Sequence, residues 1–106
     1  MGVTNDLKHT IMDEVATGQL AGSATAAQMP AIESKMVNIK SQVANAANIY
    51  IGASGVTVVS ADTTNTTTGL VLDAGQETGW IPVDNLDTFY YICDNASDEL
   101  TYMVIR

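Results

Sequence analysis

Thr88-Phe89-Tyr90-Tyr91-Ile92-Cys93, a polar stretch across Asp94 to Asp98, and Leu100-Thr101-Tyr102-Met103-Val104-Ile105 close the chain and decide its fold class. Both apolar segments are rich in β-branched and aromatic residues, which fit a pleated, half-buried surface. Asn and Asp between them stabilise turns by bonding their own backbone. The two segments are therefore expected as a hairpin. Large side chains fall on both faces of each strand, the pattern of a sheet covered on both sides, inside a sandwich or at a subunit contact.

The same reading extends towards the N-terminus. Ser34 to Gln42 alternates, with Val37 and Ile39 on one face and Asn38 and Lys40 on the other. Asn45-Ala46-Ala47-Asn48 reads as a turn, and Ile49-Tyr50-Ile51 and Val56-Thr57-Val58-Val59 read as a second hairpin about the loop Gly52-Ala53-Ser54-Gly55. Ser60 to Thr68 is polar and dense in Thr and Asn, a surface loop or weak edge strand whose Thr63 to Thr68 part is a candidate for partner contact. Leu70-Val71-Leu72 is a short strand. In Trp80-Ile81-Pro82-Val83, Pro82 has no N–H to donate, so this strand is expected to sit at a sheet edge or to be interrupted there. Residues 33–106 are thus expected to form a mainly β domain, a small antiparallel β-sandwich or barrel.

Residues 1–32 are expected as an extended or short-helical N-terminal arm. Leu7, Ile11 and Val15 recur every four positions with Met12 beside them, one narrow stripe on a three-turn helix from Thr4 to Ala16 that Gly18 would end. Such a helix is too short to be stable alone and needs a surface to lie against. Gly18 to Gln28, rich in small and polar residues, reads as a flexible connector that either folds back or reaches to a neighbouring subunit. Leu7, Ile11, Met12 and Val15 are the candidate partner contacts on the arm, and Trp80 is the candidate on the β-domain.

Composition limits the function classes. Among 106 residues, twelve acids against four bases give a net charge of −8, which disfavours nucleic acid, whose binding needs Lys and Arg to release phosphate counterions. The same charge is repelled by an anionic membrane, and no apolar run approaches the roughly 20 residues that span a bilayer. The N-terminus lacks the basic start and apolar stretch of a signal peptide, so synthesis and use without that export route are expected. A domain of this size supports only a marginal core, which favours burial against other subunits.

Little chemistry is visible. Cys93, the single cysteine, is expected as a buried strand thiol, and His9 as a solvated residue. The acidic stretches Asp84 to Asp87 and Asp94 to Glu99 lack EF-hand spacing and read as turns. No metal, cofactor or catalytic residues are assigned, and no enzyme activity is expected. Tyr50, Trp80, Tyr90 and Tyr102 present flat faces with polar tips, which fits packing and, as an alternative, a sugar-stacking surface.

Several segments carry a resemblance: Val37-Asn38-Ile39-Lys40, Asn48-Ile49-Tyr50-Ile51-Gly52, Ser54-Gly55-Val56-Thr57, Gly69 to Gly75, and Pro82-Val83-Asp84-Asn85-Leu86 leading into Phe89-Tyr90-Tyr91-Ile92. In this succession of strands and turns the chain resembles small virion structural proteins of tailed bacteriophages, over about one small-domain length. The resemblance implies a capsid decoration or cement protein at the capsid surface, made in the host cytoplasm, with the major capsid protein and itself, as a homotrimer, for partners. It also implies an alternative, a receptor- or glycan-binding module of a fibre or tail. The resemblance transfers no catalytic residues.

Overall fold

The computed structural model describes residues 14–58 and 68–106. Among these residues, eight strands form two four-stranded antiparallel sheets: β1 (Val15–Ala21), β2 (Ala27–Gln28), β3 (Met36–Ser41), β4 (Ile49–Gly52), β5 (Leu70–Leu72), β6 (Ile81–Pro82), β7 (Tyr90–Cys93) and β8 (Glu99–Ile105). Sheet A has the order β1-β8-β3-β6 and sheet B the order β2-β7-β4-β5. The expected mainly β sandwich is therefore the observed class. Pro82 lies on the edge strand β6, where its missing donor costs no ladder bond.

Period-two alternation explains the core. Val37 and Ile39 of β3 and Leu100 and Val104 of β8 turn inward from sheet A, and Ile49, Ile51, Tyr91 and Cys93 turn inward from sheet B to meet them. Met29, Leu72 and Leu86 complete this buried cluster. A second, smaller cluster lies on the opposite face of sheet B, where Tyr50 and Ile92 are covered by Val56, Val58 and Tyr90. Strands β4 and β7 are thus apolar on both faces because both faces are covered.

Three local expectations are corrected. Val15 and Ala16 are not on a helix, and Gly18 does not end one: Val15–Ala21 is a strand paired with β8 along its whole length. A short helix gains hydrogen bonds only from itself, and Thr17 and Gly18 are poor helix formers, whereas β8 offers seven residues a ladder. The connector expected from Gly18 to Gln28 likewise supplies the end of β1 and all of β2, so both sheets draw on residues before Glu33. Leu7, Ile11, Met12 and His9, and the Ser60 to Thr67 part of the Thr-rich loop, lie outside the described residues.

The two expected hairpins are corrected as well. Strands β7 and β8 belong to different sheets, and β4 pairs with β5 and β7, while Val56 and Val58 fold over sheet B and do not line up beside β4. Thr57 makes an isolated bridge to Thr68. The turns at 42–48 and 94–98 cross from one sheet to the other and are locked together by polar side chains. Both oxygens of the buried Asp98 carboxylate accept backbone N–H groups, from Ala46 and Ala47, each at 2.9 Å. The Asn45 amide donates to Ser41 Oγ (2.9 Å) and to the Glu99 carbonyl (2.7 Å), and its oxygen accepts the Glu99 N–H (2.9 Å).

Asp98→Ala strands two N–H groups of a partly buried turn and is expected to lower unfolding free energy by roughly 2–3 kcal/mol, read from urea titration. Burial raises the Cys93 thiol above its ordinary 9.0, with Asp98 and Asp94 adding to the effect against an opposing backbone hydrogen bond from Ser23. Burial, with Cys93 as a lesser cause, also raises Tyr91 above 10.0. Both groups favour the neutral form when folded, so their contribution is complete below pH 9 and is lost as pH climbs through the folded values. The urea midpoint is expected to fall in that alkaline window, and Cys93 in folded protein at pH 8 is expected to resist thiol reagents that label it on unfolding.

Candidate interaction surface

The registers in sheet A place the outward side chains in rows. Val15 of β1 stands opposite Ile105 of β8, which stands opposite Met36 of β3, which stands opposite Pro82 of β6. The next row is Thr17, Met103 and Asn38, and the one after is Gln19, Thr101 and Lys40. Residues paired across a ladder share a face, so Val15, Ile105, Met36 and Pro82 make an apolar band across one end of the sheet, with Met103 beside it. Val15 is 60% and Met103 41% exposed.

Trp80 joins the same face. Ile81 packs inward on the core, so alternation turns its neighbours Trp80 and Pro82 outward, and Trp80 is 42% exposed. Gly79, at φ 77°, takes the left-handed conformation just before it and lets the chain turn into β6. Of the sequence candidates, Val15 and Trp80 are thus brought onto one face of sheet A, from its two edges. Met36, Met103 and Ile105 were not singled out from the sequence. Their signal was the odd–even alternation of β8, which becomes readable once β8 is known to lie between two strands.

Towards the other end the face becomes polar. A shallow depression of about 250 Å³ is lined by Thr17, Asn38, Lys40, Glu77, Thr101 and Met103 among others, and Asn38 Nδ2 donates to Glu77 Oε1 at 3.2 Å. Three of the four basic residues, Lys35, Lys40 and Arg106, lie on or immediately beside β3 and β8, and Arg106 pairs with Glu14 at 3.5 Å.

The outer face of sheet B is different in kind, because Val56 and Val58 already cover Tyr50 and Ile92. Tyr50 is 1% exposed and its hydroxyl donates to Asp94 Oδ2 at 3.0 Å. Tyr102 packs on the main core, Tyr90 on the smaller cluster and Trp80 outward from sheet A. The four rings therefore do not share one platform, and the sugar-stacking surface expected as an alternative is not assembled. Among the described residues no three His, Cys, Asp or Glu side chains are grouped to hold a metal ion.

No family model matches the chain, and no curated protein matches it. It is similar to a chain in the solved structure reported as "Bacillus endospore appendages form a novel family of disulfide-linked pili", at 17% identity, covering 88% of this chain and 86% of that one, with a TM-score of 0.42. At that score the likeness carries no function across.

Trp80 is the single tryptophan, so its emission reports this face directly. It is expected to be readily quenched by acrylamide in the free protein, and Met103→Asp is expected to leave that quenching and the thermal midpoint nearly unchanged, since exposed sites move stability by about 0.5 kcal/mol or less.

Proposed function

We propose that this chain is a structural accessory subunit that docks through the outer face of sheet A onto a protein shell, in the finer reading as a decoration protein bound to the major capsid protein of a tailed bacteriophage. The observation that carries the reading is the apolar band of Val15, Ile105, Met36 and Pro82 with Met103 and Trp80, which no other described segment covers, on a domain that covers the equivalent face of its other sheet with its own chain. Large apolar side chains clustered on one rigid face with a polar border are the anatomy of a docking site. Lys40, in the third outward row of the same face, favours a partner surface that is apolar at its centre and carries an acidic group beside it. The bacteriophage part of the reading draws on the succession of turn motifs from Val37 to Ile92.

The role requires no catalytic step. A ligand that binds the assembled shell and not its dissociated subunits stabilises the shell by RT ln(1 + [L]/Kd), and many copies each contribute that increment. The same arithmetic makes weak individual docking sufficient when sites are numerous.

The test is co-sedimentation with mature capsids of a tailed phage that carries this chain's gene, together with the temperature at which those capsids break open. Wild-type protein is expected to pellet with capsids, to lose acrylamide access to Trp80 on binding, and to raise the breaking temperature. Met103→Asp is expected to weaken binding by at least ~10-fold, the loss of roughly 1.4 kcal/mol. Absence of wild-type protein from the pellet at saturating concentration sinks the capsid reading.

A further inference from the structure

Among the four sheet edges, β1 stands apart. The edge strands β2 and β6 have two residues each, β6 carrying Pro82, and β5 has three, whereas β1 has seven. Proteins blunt exposed edges with short strands, proline or charge, because an edge of unpaired N–H and C=O groups is a template for another chain. Three edges here follow that rule. Strand β1, Val15-Ala16-Thr17-Gly18-Gln19-Leu20-Ala21, contains no proline and no charged residue.

Which backbone groups face outward can be worked out. The Arg106 N–H donates to the Glu14 carbonyl at 2.8 Å, and Val15 stands opposite Ile105. Along an antiparallel ladder, residues alternate between pointing both backbone groups at the partner and pointing both away. Glu14, Ala16, Gly18 and Leu20 therefore face β8, and Val15, Thr17, Gln19 and Ala21 face away from it. The Ala21 carbonyl is taken by the Tyr91 hydroxyl at 2.8 Å. The remaining outward groups have no partner among the described residues.

We propose that β1 pairs antiparallel with β1 of a second copy about a two-fold axis at Gly18, joining two A sheets into one eight-stranded sheet. Full overlap of the two strands sets Thr17 opposite Gln19 and Val15 opposite Ala21 of the partner copy. Thr17 and Gln19 then exchange two hydrogen bonds at each of the two symmetric places, and each Ala21 N–H reaches the other copy's Val15 carbonyl. Facing side chains are small or uncharged throughout: Val15 with Ala21, Ala16 with Leu20, Thr17 with Gln19, Gly18 with Gly18.

Charge selects this edge and this partner. Two copies each carrying −8 repel, so a self-contact must avoid setting acid against acid. Strand β1 meets that condition over its full length, and beyond its N-terminal end Glu14 is paired with Arg106. The Gly18 position also suits a close approach. A Cβ there would collide with the Tyr102 ring, which lies over Gly18 and takes up the space a side chain would use. The association is two-fold, in place of the trimer expected from the sequence, because a strand edge paired with its own copy closes with two members. It does not depend on what the outer face of sheet A binds.

The experiment is light scattering of the full chain at about 50 µM, a concentration that populates complexes of micromolar affinity, combined with residue-resolved amide exchange. Twice 11.2 kDa, about 22 kDa, is expected. The Thr17, Gln19 and Ala21 amides, which face away from β8, are expected to be protected. Gln19→Pro removes an outward N–H while leaving every bond to β8, so it is expected to halve the mass, preserve the thermal midpoint at low concentration, and release the Thr17 and Ala21 amides. Thr17→Lys, with a charge brought to the edge, is expected to act likewise should the proline variant fold poorly. A monomeric wild type overturns the proposal, whether the amides exchange freely or are protected by another part of the same chain. A dimer that survives both substitutions overturns it too.

Discussion

Strand β8 is hydrogen-bonded along both of its edges, to β1 from Val15 to Ala21 and to β3 from Met36 to Ser41. The last seven strand residues of the chain therefore hold together segments that begin more than sixty positions earlier. Everything else in sheet A is referred to this strand. Its inward residues Leu100 and Val104 are fully buried, and its outward residues Met103 and Ile105 set the centre of the exposed band. A slip of one residue would exchange the two sets, placing Thr101 and Met103 in the core and Leu100 and Val104 in water. Burial of Leu100 and Val104, each worth roughly 1.5–3 kcal/mol, is what excludes the alternative register, so the same energy that builds the core also fixes which side chains the surface displays.

The register needs an anchor at the start of β8, and the polar knot supplies one. Asp98 receives the two alanine N–H groups of the β3–β4 crossing, and Asn45 binds the backbone of Glu99, the first residue of β8. A buried carboxylate is tolerable when its oxygens are matched by donors, and removing those donors or the carboxylate leaves an uncompensated polar group. The knot is thus specific to one alignment of two turns. It ties the end of β3 to the beginning of β8, which are neighbours in sheet A, while the same turns send the chain to and from sheet B.

That geometry also explains which parts of the fold were legible in the sequence. Alternation in β3 and short apolar runs between turn residues in β4, β5, β6, β7 and β8 located these strands within a residue or two, because both are local patterns. Pairing was not local. Most consecutive strands lie in opposite sheets, with β4 and β5 the sequence neighbours that pair, and a turn that crosses between sheets uses the same Asn, Asp and Ser residues as a hairpin turn. Only the partner of Asp98 or Asn45 tells the two apart, and that partner lies some fifty positions away. Strand β1 was misread for a related reason. Leu7, Ile11 and Val15 fit a spacing of four, which is a multiple of two as well as near a helical turn, and the deciding ladder with β8 is eighty residues distant in sequence. Trp80 was named from its own neighbourhood and Val15 from a helical stripe that the strand replaces, whereas Met36, Met103 and Ile105 became visible only with the register.

The two surfaces of sheet A, its outer face and its β1 edge, meet at Val15, and they differ in what they demand of a partner. A face offers side chains, so its occupant must match its shape and the charge of Lys40. An edge offers backbone, which is the same in every protein, so it discriminates through length and charge alone. An edge of seven uncharged residues, unpaired among the described residues, is discriminating in that sense in a strongly acidic chain. It accepts a strand without acids and rejects most of this protein's own surface, where Asp and Glu outnumber bases three to one. Pairing two β1 strands would also lay two outer faces side by side on one continuous sheet with Val15 of each near the junction. A weak apolar band would then become a bivalent one, and two contacts made together hold far longer than either alone when their spacing matches the target. Under the proposed pairing, the uncharged edge would set how many copies of the exposed face are presented together.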